Sequence, residues 1–158
     1  MDDETYVRVS QEALPMLWRL SMSILHHRSD AEDAVQQGLL RAWEHRAKGR
    51  PGCERAWMTR IIINECRNIQ RRRMREEPRE AVAEEPAWVP PDTALRDALE
   101  VLPEKYRLPL LLKYMEGMTE REAAEALNMT VTGLKSRLMR ARHALAEALQ
   151  EEVAWNEH

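Results

Sequence analysis

Residues 119–142 read TEREAAEALNMTVTGLKSRLMRAR, and the reading of this stretch decides the fold. Thr119 and Glu122 have the T-x-x-E spacing of a capping box, in which a side-chain oxygen takes one orphan N–H of the first turn and the carboxylate reaches back to another. Ala123, Ala124 and Leu127 supply small or apolar positions for close packing, and Asn128 suits a C-terminal cap. A second helix is expected to begin at Thr130 or Thr132. Along it Leu134, Leu138, Ala141, Leu145 and Ala148 recur at helical spacing and must be buried, while Thr132, Lys135, Ser136, Met139 and Arg140 share another face. Two short helices around a tight turn, the second with a basic face, have the grammar of a helix-turn-helix that reads a DNA groove.

A basic amphipathic helix can also be an ordinary solvated surface. Charge segregation favours the nucleic-acid reading here. Between residues 130 and 146 the chain carries Lys135, Arg137, Arg140 and Arg142 and no acid, although the 158-residue protein has a net charge of -3. Residues 51–75 hold seven Arg against two Glu, and residues 76–100 hold eight acids against two Arg, so a near-neutral total conceals opposed patches. Such local cation excess suits a surface that meets phosphate.

Residues 76–92, EEPREAVAEEPAWVPPD, contain four of the eight prolines within an acidic run. Proline removes backbone donors and like charges repel, so a flexible linker is expected between a domain at 1–75 and one at 93–158. Trp88 is either a loose surface residue there or an anchor for the linker. No segment alternates cleanly over six residues, and Ile61, Ile62 and Ile63 sit inside a helical pattern, so the expected class is all-α.

The first half offers two further faces. Ser29 and Glu32 have capping-box spacing and would open a helix in which Ala31, Val35, Leu39 and Ala42 form the buried stripe. Opposite lie Asp30, Asp33, Gln37, Leu40, Arg41 and Glu44, with Leu40 an apolar residue among charges that suits either an ordinary exposed leucine or a partner-binding face. After a Gly-, Pro- and Arg-rich loop, residues 56–75 read AWMTRIIINECRNIQRRRMR. Arg60, Asn64, Arg67, Arg71 and Arg75 line one side of this helix with Asn68 at its edge, and Met58, Ile62, Cys66 and Ile69 occupy the other. Guanidinium forks and amides at this spacing can contact successive phosphates or base edges of a strand, and Trp57 either stacks on a base or fills the core.

Other classes find little support. Cys53 and Cys66 form no C-x-x-C pair, and His26 and His27 are adjacent rather than one turn apart, so neither a metal site nor a disulfide is expected. His26 and His27 are expected as exposed polarity at a helix end. No apolar run approaches the ~20 residues of a membrane span, and the acidic start MDDETY is unlike a signal peptide, so a cytoplasmic protein with no membrane insertion is expected. No catalytic constellation and no cofactor fingerprint is present, and a non-enzyme is expected.

These motifs together resemble the extracytoplasmic-function (ECF) sigma factors of RNA polymerase. DAEDAVQQGLLRAW is similar to a helix of their region 2, AWMTRIIINECRNIQRRRMR to the helix that follows it, and residues 102–142 to their region 4, in the family's order and over nearly the whole chain. The resemblance implies that Asp30, Glu32, Asp33, Gln36, Gln37 and Leu40 dock on the clamp helices of the polymerase largest subunit. It implies that Arg60, Asn64, Arg67, Asn68 and Arg71 engage the melted strand of the promoter -10 element. It further implies that Lys135, Ser136, Met139 and Arg140, with Thr132 beside them, enter the major groove of the -35 element, with Lys113 and Arg137 on phosphates. Thr132-Gly133 stands where family members usually show Gly-Thr, and Asn68 where Asp is frequent, departures that bear on promoter sequence rather than class. Regulation by an anti-sigma factor is a further implication. The competing readings are a dimeric helix-turn-helix repressor or activator, and a protein-interaction regulator without DNA function.

Overall fold

The computed structural model describes residues 1–76 and 93–156, with side chains for 1–76 and 94–150. The expected linker beyond residue 76, and Trp88 within it, lie outside the described residues. The chain divides into two compact units, Met1–Ala87 and Trp88–His158, and among the described residues it is helical without strands.

The first unit is a three-helix bundle of α1 (Asp3–Leu25), α2 (Arg28–Glu44) and α3 (Glu54–Arg75), with a short 3₁₀ turn at Arg46–Lys48. Asp2 starts α1 by accepting the Thr5 N–H at 2.7 Å, and hydrogen bonding from the Thr5 side chain, then from its backbone N–H, holds the carboxyl below the usual value. The helix ends where His26 takes a left-handed backbone at φ 51° and donates its N–H to the Met22 carbonyl. The chain therefore reverses at once, and His27 becomes the cap of α2, its Nδ1 accepting the Asp30 N–H at 3.3 Å. This corrects the expected Ser29–Glu32 capping box: α2 begins at Arg28, so Ser29 is already inside the helix. The two histidines are half-buried capping residues rather than exposed ones.

Leu17, Leu20 and Met22 of α1, Ala31, Ala34, Val35 and Ala42 of α2, and Met58, Ile62, Ile63 and Cys66 of α3 fill the bundle. Small residues on α2 let its backbone approach α3. At Gly38 an added Cβ would run into Ile62 Cδ1, so any larger residue there forces the fully buried Ile62 side chain to shift. The open end is closed by aromatic and polar contacts. The Tyr6 hydroxyl donates to the Leu39 carbonyl at 2.7 Å, its ring meets Trp43 edge-on at 5.1 Å, and the Arg46 guanidinium lies 3.8 Å from the Trp43 ring centre. Cys66 is buried and within 3.5 Å of the Ser21 hydroxyl, a core contact between α3 and α1. Trp57 is half-buried, with its ring beside Gly49.

The second unit comprises α4 (Thr93–Val101), α5 (Glu104–Leu110), a π-helical turn at Leu111–Met115, α6 (Glu120–Ala126) and α7 (Val131–Asn156). The expected stripe on α7 is realised, with Leu134, Leu138, Ala141 and Ala148 buried and Leu145 half-buried. Against it pack Ala98 and Leu99 of α4, Leu108 and Leu110 of α5, Leu112, Met118, and Ala123 and Ala124 of α6. Arg107 ties the α4–α5 corner by donating to the Leu102 carbonyl at 3.0 Å, and burial pushes its guanidinium pKa down.

Candidate nucleic-acid interface

The turn between α6 and α7 follows from its cap residues. Thr119 accepts the Glu122 N–H at 3.1 Å while Glu122 accepts the Thr119 N–H at 3.2 Å, the expected capping box. At the other end Asn128 adopts φ 56°, and the Asn128 and Met129 N–H groups return to the Glu125 and Ala124 carbonyls at 3.2 and 2.8 Å, which is a Schellman motif. Two residues later Thr130 caps α7, its hydroxyl accepting the Gly133 N–H at 3.0 Å. An added Cβ on Gly133 would lie 3.0 Å from that hydroxyl, so a larger residue there requires the Thr130 side chain to give by a few tenths of an ångström.

Held this way, the first turns of α7 leave Thr132, Lys135, Met139 and Arg140 exposed and Ser136 and Arg137 half-buried. Met139 is 57% exposed, high for a large apolar side chain on a helix with a complete core stripe, and suited to contact with a base edge or thymine methyl. Lys135 pairs with Glu120 of α6 at 3.6 Å. The π-helical turn, closed by the Glu116 N–H on the Leu111 carbonyl at 2.9 Å, carries the half-buried Lys113 and the exposed Tyr114. The Tyr114 hydroxyl accepts a 2.6 Å bond from Arg142 Nε, which fixes a cation further along α7. The residues join Leu111–Met115 to a helix 28 positions away, and no local pattern announces the contact.

On the first unit, Asn64, Arg67, Asn68 and Arg71 of α3 line a groove of about 410 Å³ together with Ile61, Glu65 and the end of α2 at Arg41 and His45. Arg60 is half-buried on the same helix and is not among the groove's lining residues. Arg71 donates to Asn68 Oδ1 at 3.2 Å, so these two are ordered against each other. Sequence reasoning did not single out Arg41 and Glu65 as a pair. Glu65 is only 6% exposed and forms an ion pair with Arg41 across the α2–α3 seam. Twenty-four positions separate them (65 minus 41), and Glu65 stood in the chain as one acid among arginines.

Glu32, Asp33, Gln36, Gln37 and Leu40 of α2 are all exposed, Leu40 by 50%, and form one continuous face. Asp30 behaves differently. It is half-buried and pairs with Arg73 of α3, an internal tie between the two helices. Among the described residues no group of His, Cys, Asp and Glu is arranged to hold a metal ion, and no helix is long and apolar enough to cross a membrane.

Comparison with known proteins places these two units in sequence families. Sigma-70 region 2 matches residues 10–76, and sigma-70 region 4 matches residues 92–145. The chain is 32% identical over 158 residues to the RNA polymerase sigma-E factor of Streptomyces coelicolor, covering 94% of this chain and 86% of that protein. It is 30% identical over 154 residues to the ECF RNA polymerase sigma factor SigL of Mycobacterium tuberculosis, covering 89% and 86%. A chain of the co-crystal structure of the sigma factor RpoE with the anti-sigma factor NepR from Bartonella quintana superposes with a TM-score of 0.76 at 28% identity, over 93% of this chain and 98% of that one. The chain belongs to the ECF sigma factors of RNA polymerase, and its two folded units carry sigma-70 regions 2 and 4.

Proposed function

We propose that this ECF sigma factor brings core RNA polymerase to its promoters by dividing recognition between two dissimilar surfaces. Thr132, Lys135, Ser136, Met139 and Arg140 read the major groove of the duplex -35 element, with Lys113 and Arg137 on its phosphates. Asn64, Arg67, Asn68 and Arg71, with Arg60 beside them, hold the melted strand of the -10 element, where unpaired bases offer edges and faces that a duplex conceals. Glu32, Asp33, Gln36, Gln37 and Leu40 dock on the clamp helices of the polymerase largest subunit, and Asp30 supports that face through Arg73. The observation that carries the reading is the coexistence in one chain of a convex basic helix and a concave Arg/Asn groove, shapes suited to duplex and single strand respectively.

Each surface alone supplies limited affinity. Joined in one chain on one polymerase they act together, so the second contact forms at high effective concentration. The factor selects the start site and aids opening, and the polymerase performs the chemistry in the cytoplasm, at the nucleoid when engaged. An anti-sigma partner that covers these surfaces when transcription is not required completes the scheme, by analogy with the complex of RpoE and NepR.

The test is run-off transcription by purified core polymerase, with and without the protein, on a promoter library from its own genome. Factor-dependent transcripts with defined starts are expected. A protein that yields none with active polymerase, yet binds duplex DNA as a dimer, is a repressor or activator instead.

A further inference from the structure

The α2–α3 groove has a feature that a phosphate-binding trough does not require. Among its described lining residues Glu65 is the one carboxylate, and it is only 6% exposed, set between Arg41 on one wall and Asn64 and Asn68 on its own helix. A buried negative charge opposes the phosphates of a bound strand. As a structural device it is also costly, because a carboxylate taken out of water pays a desolvation penalty that a partner as exposed as Arg41, at 52% of its side chain, offsets only in part. An acceptor at the floor of a cationic groove instead suits a group that brings hydrogen-bond donors without charge. The exocyclic amines of unpaired bases are such groups, and carboxylates accept from them.

Resting on the reading of this groove as the site of the melted strand, we propose that Glu65 is a specificity-determining residue that accepts the exocyclic amine of one unpaired base, with Arg41 as the positioning residue that holds its carboxylate. Cytosine, adenine and guanine carry such an amine. Thymine carries none, and its single donor, the ring N3–H, is flanked by the O2 and O4 acceptors, which the carboxylate repels. Arginines on the rim hold the sugar-phosphate backbone, and Glu65 excludes thymine at a single position by about tenfold or more.

The test uses the full chain with core polymerase on promoters randomised through the melted region, with the transcribed sequences read out. For the wild type, one position depleted of thymine is expected. Glu65→Gln is nearly isosteric and exchanges one acceptor for a donor that thymine O4 can use, so thymine should return at that position to within about threefold of the other bases while preferences elsewhere stay fixed. Arg41→Gln, which keeps the carboxylate but removes its partner, should relax the same position partly. It provides the decisive variant if circular dichroism shows Glu65→Gln unfolded: relaxation confined to that position supports the proposal, and an unchanged pattern overturns it. Transcripts from the wild type with no thymine-depleted position, or from Glu65→Gln with the wild-type pattern, also overturn it. Absence of factor-dependent transcripts from the wild type would instead remove the underlying reading of the groove.

Discussion

The two nucleic-acid surfaces differ in how much of their charge is already engaged. On α3 of the first unit the groove is lined by side chains that hold one another, with Arg71 on Asn68 and Arg41 on the buried Glu65, and Arg73 behind it on Asp30. On α7 of the second unit the reading face stands out from the protein, and Lys135 makes one long contact with Glu120. A single strand is floppy and must be ordered by its receptor, so a groove organised beforehand lowers the cost of binding. A duplex is itself rigid and shaped, so the protein needs only a protruding helix whose cations reach its groove. The difference teaches that the first surface depends on its packing and the second on its charges.

The strongest way to break that comparison is to truncate the two cores. Ile62 packs against Gly38 in the seam between α3 and α2, and Leu138 lies on the buried side of the reading helix α7, and both are fully buried. Ile62→Ala and Leu138→Ala should each cost about 2–5 kcal/mol of stability in its own unit. Thermal unfolding followed by circular dichroism checks the loss. The sharper consequence is functional: Ile62→Ala should damage strand binding below its melting temperature, because the α2–α3 seam that sets the groove walls loosens, whereas Leu138→Ala should bind duplex nearly normally until α7 unfolds. Equal binding losses at low temperature would mean that both faces depend on packing alike.

Smaller effects are expected from the faces themselves. Arg140→Ala should weaken binding to the duplex upstream element by about 1–3 kcal/mol and relax its sequence preference. Arg71→Ala should weaken binding to forked templates with an exposed melted strand and leave the isolated duplex element unaffected. Asp33→Ala combined with Leu40→Ala should lower affinity for core polymerase while sparing both DNA assays. Fluorescence titrations of the three ligands against the three variants test the division, and equal losses in every assay would break it.

Much of this architecture was legible in the sequence, for a physical reason that also marks the limit. Caps, turns and buried stripes are local: Thr119 with Glu122, Asn128 at the left-handed turn, and Leu134 to Ala148 follow from spacing alone. Where two local signals compete, the tertiary path decides. Ser29 and Glu32 have the right spacing for a cap, but the left-handed residue at His26 brings the chain round early and gives the position to His27. Interactions between helices leave no such trace. Arg41 with Glu65, Asp30 with Arg73, Tyr114 with Arg142, and the close approach at Gly38 each join residues at least 24 positions apart, so the groove floor emerged only from the fold.

The caps offer a finer comparison of the two units. Thr119→Ala removes an oxygen that takes a 3.1 Å bond within a reciprocal box, and should cost about 1 kcal/mol in the second unit. His27→Ala removes a longer 3.3 Å cap on α2 and should cost less. Denaturant titration resolves both. A larger loss at His27 would show that its half-buried ring contributes packing beyond the cap.

The smallest effect bears most directly on the claim that the α7 face depends on its charges. Glu120 holds Lys135 at 3.6 Å, both are at least partly exposed, and such pairs contribute about 0–1 kcal/mol. Glu120→Gln should therefore leave stability almost unchanged and strengthen duplex binding by up to about fivefold, with a salt dependence steeper by up to about one counterion. Two causes would produce that gain, release of Lys135 and removal of an acid that repels phosphate. A double-mutant cycle separates them, because a gain that arises through Lys135 disappears in a Lys135→Ala background. A gain that persists there would assign Glu120 to repulsion of the phosphate backbone, and Lys135 would then reach DNA without first breaking an internal contact.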